Sequence, residues 1–132
     1  MRPPRRALPF LFSSVLVLSA CASVNVSSER YLGIPQAAPT DPARVEILRH
    51  EPKRSHVRVG EVFLSPTGGA GTDELEPALR KEAAKLGADA AVVVYDRTKR
   101  VGTFVSGNWW VRHYAPVYGR QVVAVAIRYQ GP

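Results

Sequence analysis

The sequence predicts an α+β fold of two layers, with one helix packed on a mainly antiparallel four-stranded sheet. Three observations predict it. Residues 72–86 carry apolar side chains at helical spacing, Gly87 follows, and the next run is short and rich in valine. A short valine-rich run after a glycine stop is typical of a buried strand. Three further strand-like runs surround this unit and supply the rest of the sheet.

One apolar stripe predicts the helix. It consists of Leu75, Ala78, Leu79, Ala83 and Leu86. Residues at this three- and four-residue spacing share one helix face. Thr72 or Asp73 is predicted to cap the N-terminus, with Glu76 completing a capping box. Pro77 is placed in the first turn, where its missing N–H costs little, and Gly87 is predicted to end the helix in the left-handed conformation.

Alternation and turn residues predict the strands. In chain order they cover residues 44–49, 56–64, 91–95 and 120–129, with a solvent-facing extension of the third strand to residue 105. In the second strand the alternation slips by one position at Gly60, which predicts a β-bulge. The last strand is nearly all apolar, so we expect it to pair with residues 91–95 in the middle of the sheet.

Residues 1–20 have the organisation of a signal peptide. A basic start precedes an apolar run over residues 7–18, which is shorter than the roughly 20 residues of a transmembrane helix. The tetrapeptide Leu18-Ser19-Ala20-Cys21 then resembles the lipobox of bacterial lipoproteins. This resemblance implies cleavage between Ala20 and Cys21 and acylation of Cys21, with palmitate among the acyl chains. The alternative is a small-residue cleavage site followed by a chance cysteine.

The same resemblance implies a location. An alanine after the lipidated cysteine, here Ala22, usually accompanies sorting to the outer membrane of Gram-negative cells, facing the periplasm. Cys21 is the only cysteine of the chain, so it cannot form an internal disulfide and lipidation accounts for it. Residues 21–43 contain Pro35, Pro39 and Pro42 and are predicted to be a flexible tether. The folded domain is predicted to cover residues 44–132.

The charge balance argues against nucleic acid as a partner. Removal of Arg2, Arg5 and Arg6 with the signal peptide lowers the formal charge from +7 to +4. The remaining basic residues are scattered and have acids between them, which favours solvated strand faces. The alternative is a patch for anionic lipid, lipopolysaccharide or peptidoglycan.

No motif of catalysis or metal binding is recognised. His50, His56 and His113 have no zinc-ligand spacing and no thiolate to join them. Asp89 is expected to bond backbone N–H groups in a turn, and Asp96 precedes a basic run, so we do not expect them to form an acid–base pair. The glycine-rich turn over residues 65–71 lacks the phosphate-binding fingerprints. We therefore expect neither an enzyme nor a cofactor or metal.

An aromatic loop is the predicted contact surface. The predicted loop runs from Asn108 to Tyr118, and its candidate binding residues are Trp109, Trp110, Arg112, Tyr114 and Tyr118. Aromatic and arginine side chains of this kind are enriched at protein interfaces, and tryptophan and tyrosine at membrane interfaces. The alternative is that one tryptophan fills the edge of the core and the other lies flat on the sheet.

Three segments carry a family resemblance, namely residues 60–62 (Gly-Glu-Val), 83–93 and 120–124. They resemble a group of small bacterial proteins that includes the Rcs stress-sensing outer-membrane lipoprotein and small oligomeric proteins grouped under a heavy-metal-binding name. The stress sensor's domain is held by disulfides, which this chain cannot form. The resemblance implies a membrane-anchored lipoprotein with a non-enzymatic binding or envelope-stress role and an envelope protein as partner. The alternative is a small-ligand or metal-binding module that forms homo-oligomers.

Overall fold

A computed structural model describes residues 23–67 and 70–131. In chain order its elements are β1 (Ser23–Arg30), a 3-10 helix (Pro42–Arg44), β2 (Glu46–Leu48), β3 (His56–Thr67), α1 (Thr72–Lys85), β4 (Ala90–Gly107) and β5 (Arg112–Tyr129). The predicted signal peptide over residues 1–20, the cleavage pair Ala20 and Cys21, and Ala22 lie outside the described residues. So do positions 68–69 of the predicted glycine-rich turn.

The strands form a five-stranded mixed sheet in the order β1-β3-β5-β4-β2. Neighbours are antiparallel except β2, which runs parallel to β4. The predicted α+β class with one helix is confirmed within the described part of the chain. The prediction of a four-stranded sheet is wrong, because β1 adds a strand at one edge. The predicted central pairing is confirmed, with Ala91 opposite Ala126 and Val92 opposite Val125.

The helix covers one face of the sheet and makes the main core with it. Leu75, Leu79 and Ala83 are buried against that face, as the apolar stripe predicted. Opposite them lie Val62 and Leu64 of β3 and the small residues Ala124 and Ala126 of β5. Alanine in the central strands leaves room for the leucines of the helix, so the two layers can pack closely.

Both ends of α1 carry a cap, but the predicted N-terminal cap is wrong. Gly71 is the N-cap, and its backbone N–H donates to Glu74 Oε2 at 2.8 Å. Pro77 therefore lies in the second turn rather than the first, where its missing N–H removes one helical hydrogen bond. At the other end Gly87 has a φ of 76°, which confirms the predicted left-handed stop.

The predicted bulge in β3 is confirmed. The register against β5 shifts between Arg58 and Gly60. Val59 is the extra residue, and it is buried in the core together with Val62 and Leu64. Because of this one inserted residue, the buried side chains before and after the bulge all face the helix.

The flexible tether predicted for residues 21–43 is contradicted by the described part of that segment. Ser23–Arg30 form β1, which pairs with β3 over its whole length. The chain then packs along the end of the helix, where the Thr40 N–H donates to the Ala84 carbonyl at 3.0 Å and the Thr40 hydroxyl to the Ala88 carbonyl at 2.6 Å. Val24 and Val26 alternate with polar residues, as an edge strand requires, but two valines are a weak pattern.

Tyr31 holds the segment after β1 onto the sheet. Its hydroxyl donates to Glu61 Oε1 at 2.5 Å, and its backbone N–H donates to the Val59 carbonyl at 3.1 Å. Burial, helped by the neighbouring Glu61 carboxylate, raises the pKa of Tyr31 to about 12. The phenol is therefore neutral near pH 7 and can donate this hydrogen bond.

Candidate functional site

A two-stranded hairpin extends beyond the sheet. β4 and β5 pair from Ala90 and Ile127 to Gly107 and Arg112. The neighbouring strands stop earlier, because β2 accompanies β4 only as far as Val92, and β3 accompanies β5 only as far as Val122. Residues 97–121 therefore form a hairpin that no other strand of the described residues flanks, which we call the arm. It extends on the order of 30 Å from Val122 to its tip at about 3.3 Å per residue.

The arm confirms one prediction and corrects another. The predicted extension of the third strand to residue 105 is confirmed, and β4 continues to Gly107. The predicted loop from Asn108 to Tyr118 is wrong, because only Asn108 to Val111 form the turn and the rest belongs to β5. Pro116 lies inside that strand opposite Thr103. Since β5 has a free edge here, a residue without an N–H is tolerated.

Asn108 and Gly107 shape the tip of the arm. Asn108 Oδ1 accepts hydrogen bonds from the N–H groups of Trp110 at 3.2 Å and Val111 at 3.0 Å. Gly107 has a φ of 105°, and a Cβ there would collide with the Val111 carbonyl oxygen. A side chain at residue 107 would therefore open the turn.

Both tryptophans are exposed at this tip. Trp109 and Trp110 are 70% and 71% exposed, and their rings lie against each other with centroids 3.3 Å apart. The alternative in which one of them fills the core edge is wrong. Because the tight turn carries the side chains outward rather than to opposite faces of a strand, both indoles point away from the domain.

The other predicted binding residues share one face of the arm. Arg112, Tyr114 and Tyr118 alternate along β5, on the side where Val122 and Ala124 pack against the helix. The opposite face carries Phe104, in register with Ala115, and also Val117. In all, nine of the exposed large hydrophobic side chains lie in the arm, namely Val101, Phe104, Val105, Trp109, Trp110, Val111, Tyr114, Val117 and Tyr118.

The arm is also cationic. It contains five basic residues, Arg97, Lys99, Arg100, Arg112 and Arg120, and no aspartate or glutamate. In the sequence these residues form two groups, at positions 97–100 and 112–120. Pairing of β4 with β5 brings them onto one hairpin, with Arg100 opposite Tyr118 and Thr98 opposite Arg120. The absence of acids between residues 97 and 121 was the signal that could have revealed this cluster.

An ion pair fixes the base of the arm. Arg120 donates from Nε and from one Nη to the two oxygens of Asp96, each at 2.7 Å. The hydrogen-bonded Arg120 guanidinium lowers the pKa of Asp96 below its ordinary value. Arg120 is thereby neutralised, which leaves Arg97, Lys99, Arg100 and Arg112 as the cations of the arm beyond its base.

A polar cleft lies at the opposite end of the sheet. It has a volume of about 560 Å³, and its charged lining consists of Asp41, Arg44, Glu46, Arg54 and Asp89. As predicted, Asp89 bonds a backbone group, since its Oδ2 accepts from the Tyr129 N–H at 3.0 Å. Asp89 and Asp96 thus have separate partners. Acidic and basic side chains thus line this cleft together, and no motif in the sequence pointed to it.

The histidines are spread over the molecule. His56 Nε2 lies 3.2 Å from Glu51 Oε1, while His113 is on the arm opposite Ser106 and His50 follows β2. Within residues 23–67 and 70–131 there is no group of three or more His, Cys, Asp or Glu side chains placed to hold a metal ion. Over the same described ranges, no helix has the length and apolar character needed to cross a membrane.

Comparison with family models, with characterised proteins and with solved structures finds no match to this chain.

Proposed function

We propose that this protein is a non-enzymatic binding module of the bacterial envelope, anchored to the outer membrane by acylated Cys21 and facing the periplasm. Its contact surface is the arm. The observation that carries this proposal is the tip, where two tryptophans are about 70% exposed on a hairpin that none of the other described strands covers. An envelope-stress role is one use of such a surface.

Physical chemistry supports a partner for the arm. A two-stranded hairpin by itself is marginally stable in water. Each buried tryptophan, tyrosine or phenylalanine removes on the order of 200 Å² from water, and the arm exposes five of them. Exposed apolar patches larger than a few hundred Å² mark interaction sites on soluble domains. We expect a partner that covers the tip and one face of the arm.

Site-specific photo-crosslinking in intact cells tests the contact surface. A photoreactive residue at position 110 is expected to form adducts, and the same residue at Leu32 is not. Leu32 is the matched control because it is fully exposed but lies outside the arm. Equal labelling from both positions would contradict the proposal.

The anchor has its own test. Mass spectrometry of the purified protein is expected to find an N-terminal cysteine carrying acyl chains, and Cys21→Ser is expected to release the domain from membranes. Two or more chains are needed for stable anchoring at about 0.8 kcal/mol per buried methylene. A protein that lacks fatty acid, or a Cys21→Ser variant that sediments with membranes as before, would contradict this part.

A second candidate function rests on the polar cleft and on the two free strand edges of the arm. It is a module that binds a small ligand or a metal and forms oligomers through strand pairing. Two measurements on the intact protein distinguish the two functions. Metal analysis determines its metal content, and light scattering in detergent determines its oligomeric mass. Bound metal in fixed proportion, or a discrete oligomer that Trp109→Ala does not alter, would favour the second.

A further inference from the structure

We propose that the arm is a second membrane contact, whose tip enters the interface of an anionic phospholipid bilayer while its arginines bind the phosphates. This inference names the partner of the proposed contact surface and so rests on the proposed function. Three features of the described residues carry it: the end of the sheet at which the chain enters β1, the chemistry of the tip, and the charge of the arm.

The N-terminus and the arm lie at the same end of the sheet. Ser23, the first residue of β1, pairs with Thr67 of β3, and Leu64 of β3 pairs with Val122 of β5. Thr67 is three residues past Leu64, so Ser23 is level with Gly119 on β5. Seven more residues lead from Gly119 to Arg112, about 23 Å at 3.3 Å per residue. The arm thus projects well beyond the point where the chain enters the domain.

The anchor has a shorter reach than the arm. Cys21 precedes Ser23 by two residues, which span at most about 7 Å. An acyl chain held by Cys21 in the bilayer therefore brings the base of the arm close to the headgroups. Because the arm is longer than this connection, the arm stays within reach of the surface.

The tip has the chemistry of a membrane interface rather than of the hydrocarbon core. Trp109 and Trp110 are the only tryptophans of the chain, and tryptophan and tyrosine concentrate at the headgroup level. Tyr114, Tyr118 and Val105 continue the apolar surface along the helix-side face. Arg112 and Arg100 lie on that same face, and such cations are costly in hydrocarbon but favourable beside phosphate. The arm therefore lies along the surface instead of spanning it.

The positive charge of the arm favours an anionic bilayer as its partner over a second copy of this chain. The arm beyond its base carries four basic residues and no acid, so two arms placed side by side would repel each other. An anionic leaflet attracts each of these residues instead. A self-complementary strand contact is accordingly the less favourable use of the two free edges.

The two tryptophans make the experiment specific, since all tryptophan fluorescence of the chain comes from the tip. The intact protein is placed in vesicles of phosphatidylethanolamine with phosphatidylglycerol, and separately in vesicles of phosphatidylcholine. In the anionic vesicles we expect blue-shifted emission, protection from acrylamide and quenching by doxyl-labelled lipid. High salt is expected to reverse these changes, because it screens the attraction.

Arg100→Gln/Arg112→Gln tests the role of the cations. Each cation contributes roughly a fivefold preference for the anionic surface, so this double variant is expected to lower the ratio of docked to free arm about 25-fold. Lys53→Gln/Arg128→Gln is the matched control, because it removes the same charge from exposed positions far from the tip. It is expected to leave tip shielding unchanged.

Three outcomes would overturn the inference. The indoles could be as accessible to acrylamide on anionic vesicles as in detergent, or equally shielded on phosphatidylcholine vesicles. The third outcome is shielding that accompanies dimer formation and is unchanged by substitution of both arginines. Failure of the anchor is separate and is detected by mass spectrometry. If Cys21 proves to be unmodified, the lipoprotein proposal fails, and the arm contact is decided by its cation-dependent shielding in the same vesicles.

Discussion

Gly60 lies in β3 at a position where the backbone of β1 leaves no room for a side chain. A Cβ at this residue would collide with the Glu29 carbonyl oxygen and would lie 3.1 Å from the Arg30 Cα. Both neighbours are backbone atoms, so the strain cannot be relieved by rotating a side chain. The edge strand that the sequence did not predict therefore depends on one glycine of its neighbour.

Gly60→Ala is expected to lower the free energy of unfolding by about 1–3 kcal/mol, because β1 must shift away from β3. Urea denaturation of the full chain measures this change. Gly102→Ala is the matched control, since nothing lies within 4 Å of a Cβ at Gly102 and that residue is also in a strand. If the two variants are equally stable, the close packing of β1 is wrong.

Asp96 gives the fold a defined acid dependence. Its pKa is lowered by the hydrogen-bonded Arg120, so the unfolded chain takes up this proton at a higher pH than the folded protein does. The stabilisation is complete above the ordinary pKa of 3.8 and is lost as the pH falls through the lowered value of the folded state.

Asp96→Asn is expected to cost about 1 kcal/mol near neutral pH, as for a bidentate, partly exposed pair. Other carboxylates also titrate in acid, so the informative quantity is the difference in unfolding free energy between Asp96→Asn and the unaltered protein. This difference should shrink as the pH is lowered below about 4. A difference that stays constant with pH would show that the ion pair does not act in this way.

At the scale of elements, local patterns predicted some structure and missed the rest. The stripe through Leu75 and Leu79, the stop at Gly87 and the bulge beside Gly60 all depend on neighbouring residues, and all three are confirmed. β1 was missed because two valines are a weak pattern by themselves, and the strand forms through cross-strand bonds to β3. Residues 112–118 were predicted to be a loop because Pro116 is a turn signal. They form a strand because pairing with β4 outweighs that signal.

The arm is expected to be dispensable for folding. Replacing residues 99–119 by an Asn-Gly turn would join Thr98 to Arg120, which already face each other, and Asn-Gly suits a two-residue hairpin. The buried core lies in residues 45–92 and 122–127, so we expect cooperative unfolding and a midpoint near that of the full chain. Leu79→Ala, by contrast, is expected to cost about 2–5 kcal/mol. Non-cooperative unfolding of the shortened chain would show that the arm supports the core.

At the scale of the whole molecule, the candidate site arises from topology. The sequence predicted a contact surface at Trp109 and Trp110 because aromatic residues are conspicuous at any position. It could not show that Arg97 and Arg112 share one hairpin, since that depends on pairing between residues far apart in the chain. Nor could it show that Ser23 leaves the sheet on the side of the arm, which follows only from the register of three strands.

In the proposed arrangement, the distance between Cys21 and the domain controls how strongly the arm contacts the membrane. Ten Gly/Ser residues inserted between Ala22 and Ser23 would add about 17 Å of flexible reach and lower the effective concentration of the tip at the bilayer. We expect tryptophan shielding on anionic vesicles to fall with the length of the insert. The same residues appended after Pro132 are the control and should change nothing. Shielding that is independent of the insert would mean that the anchor does not hold the arm against the membrane.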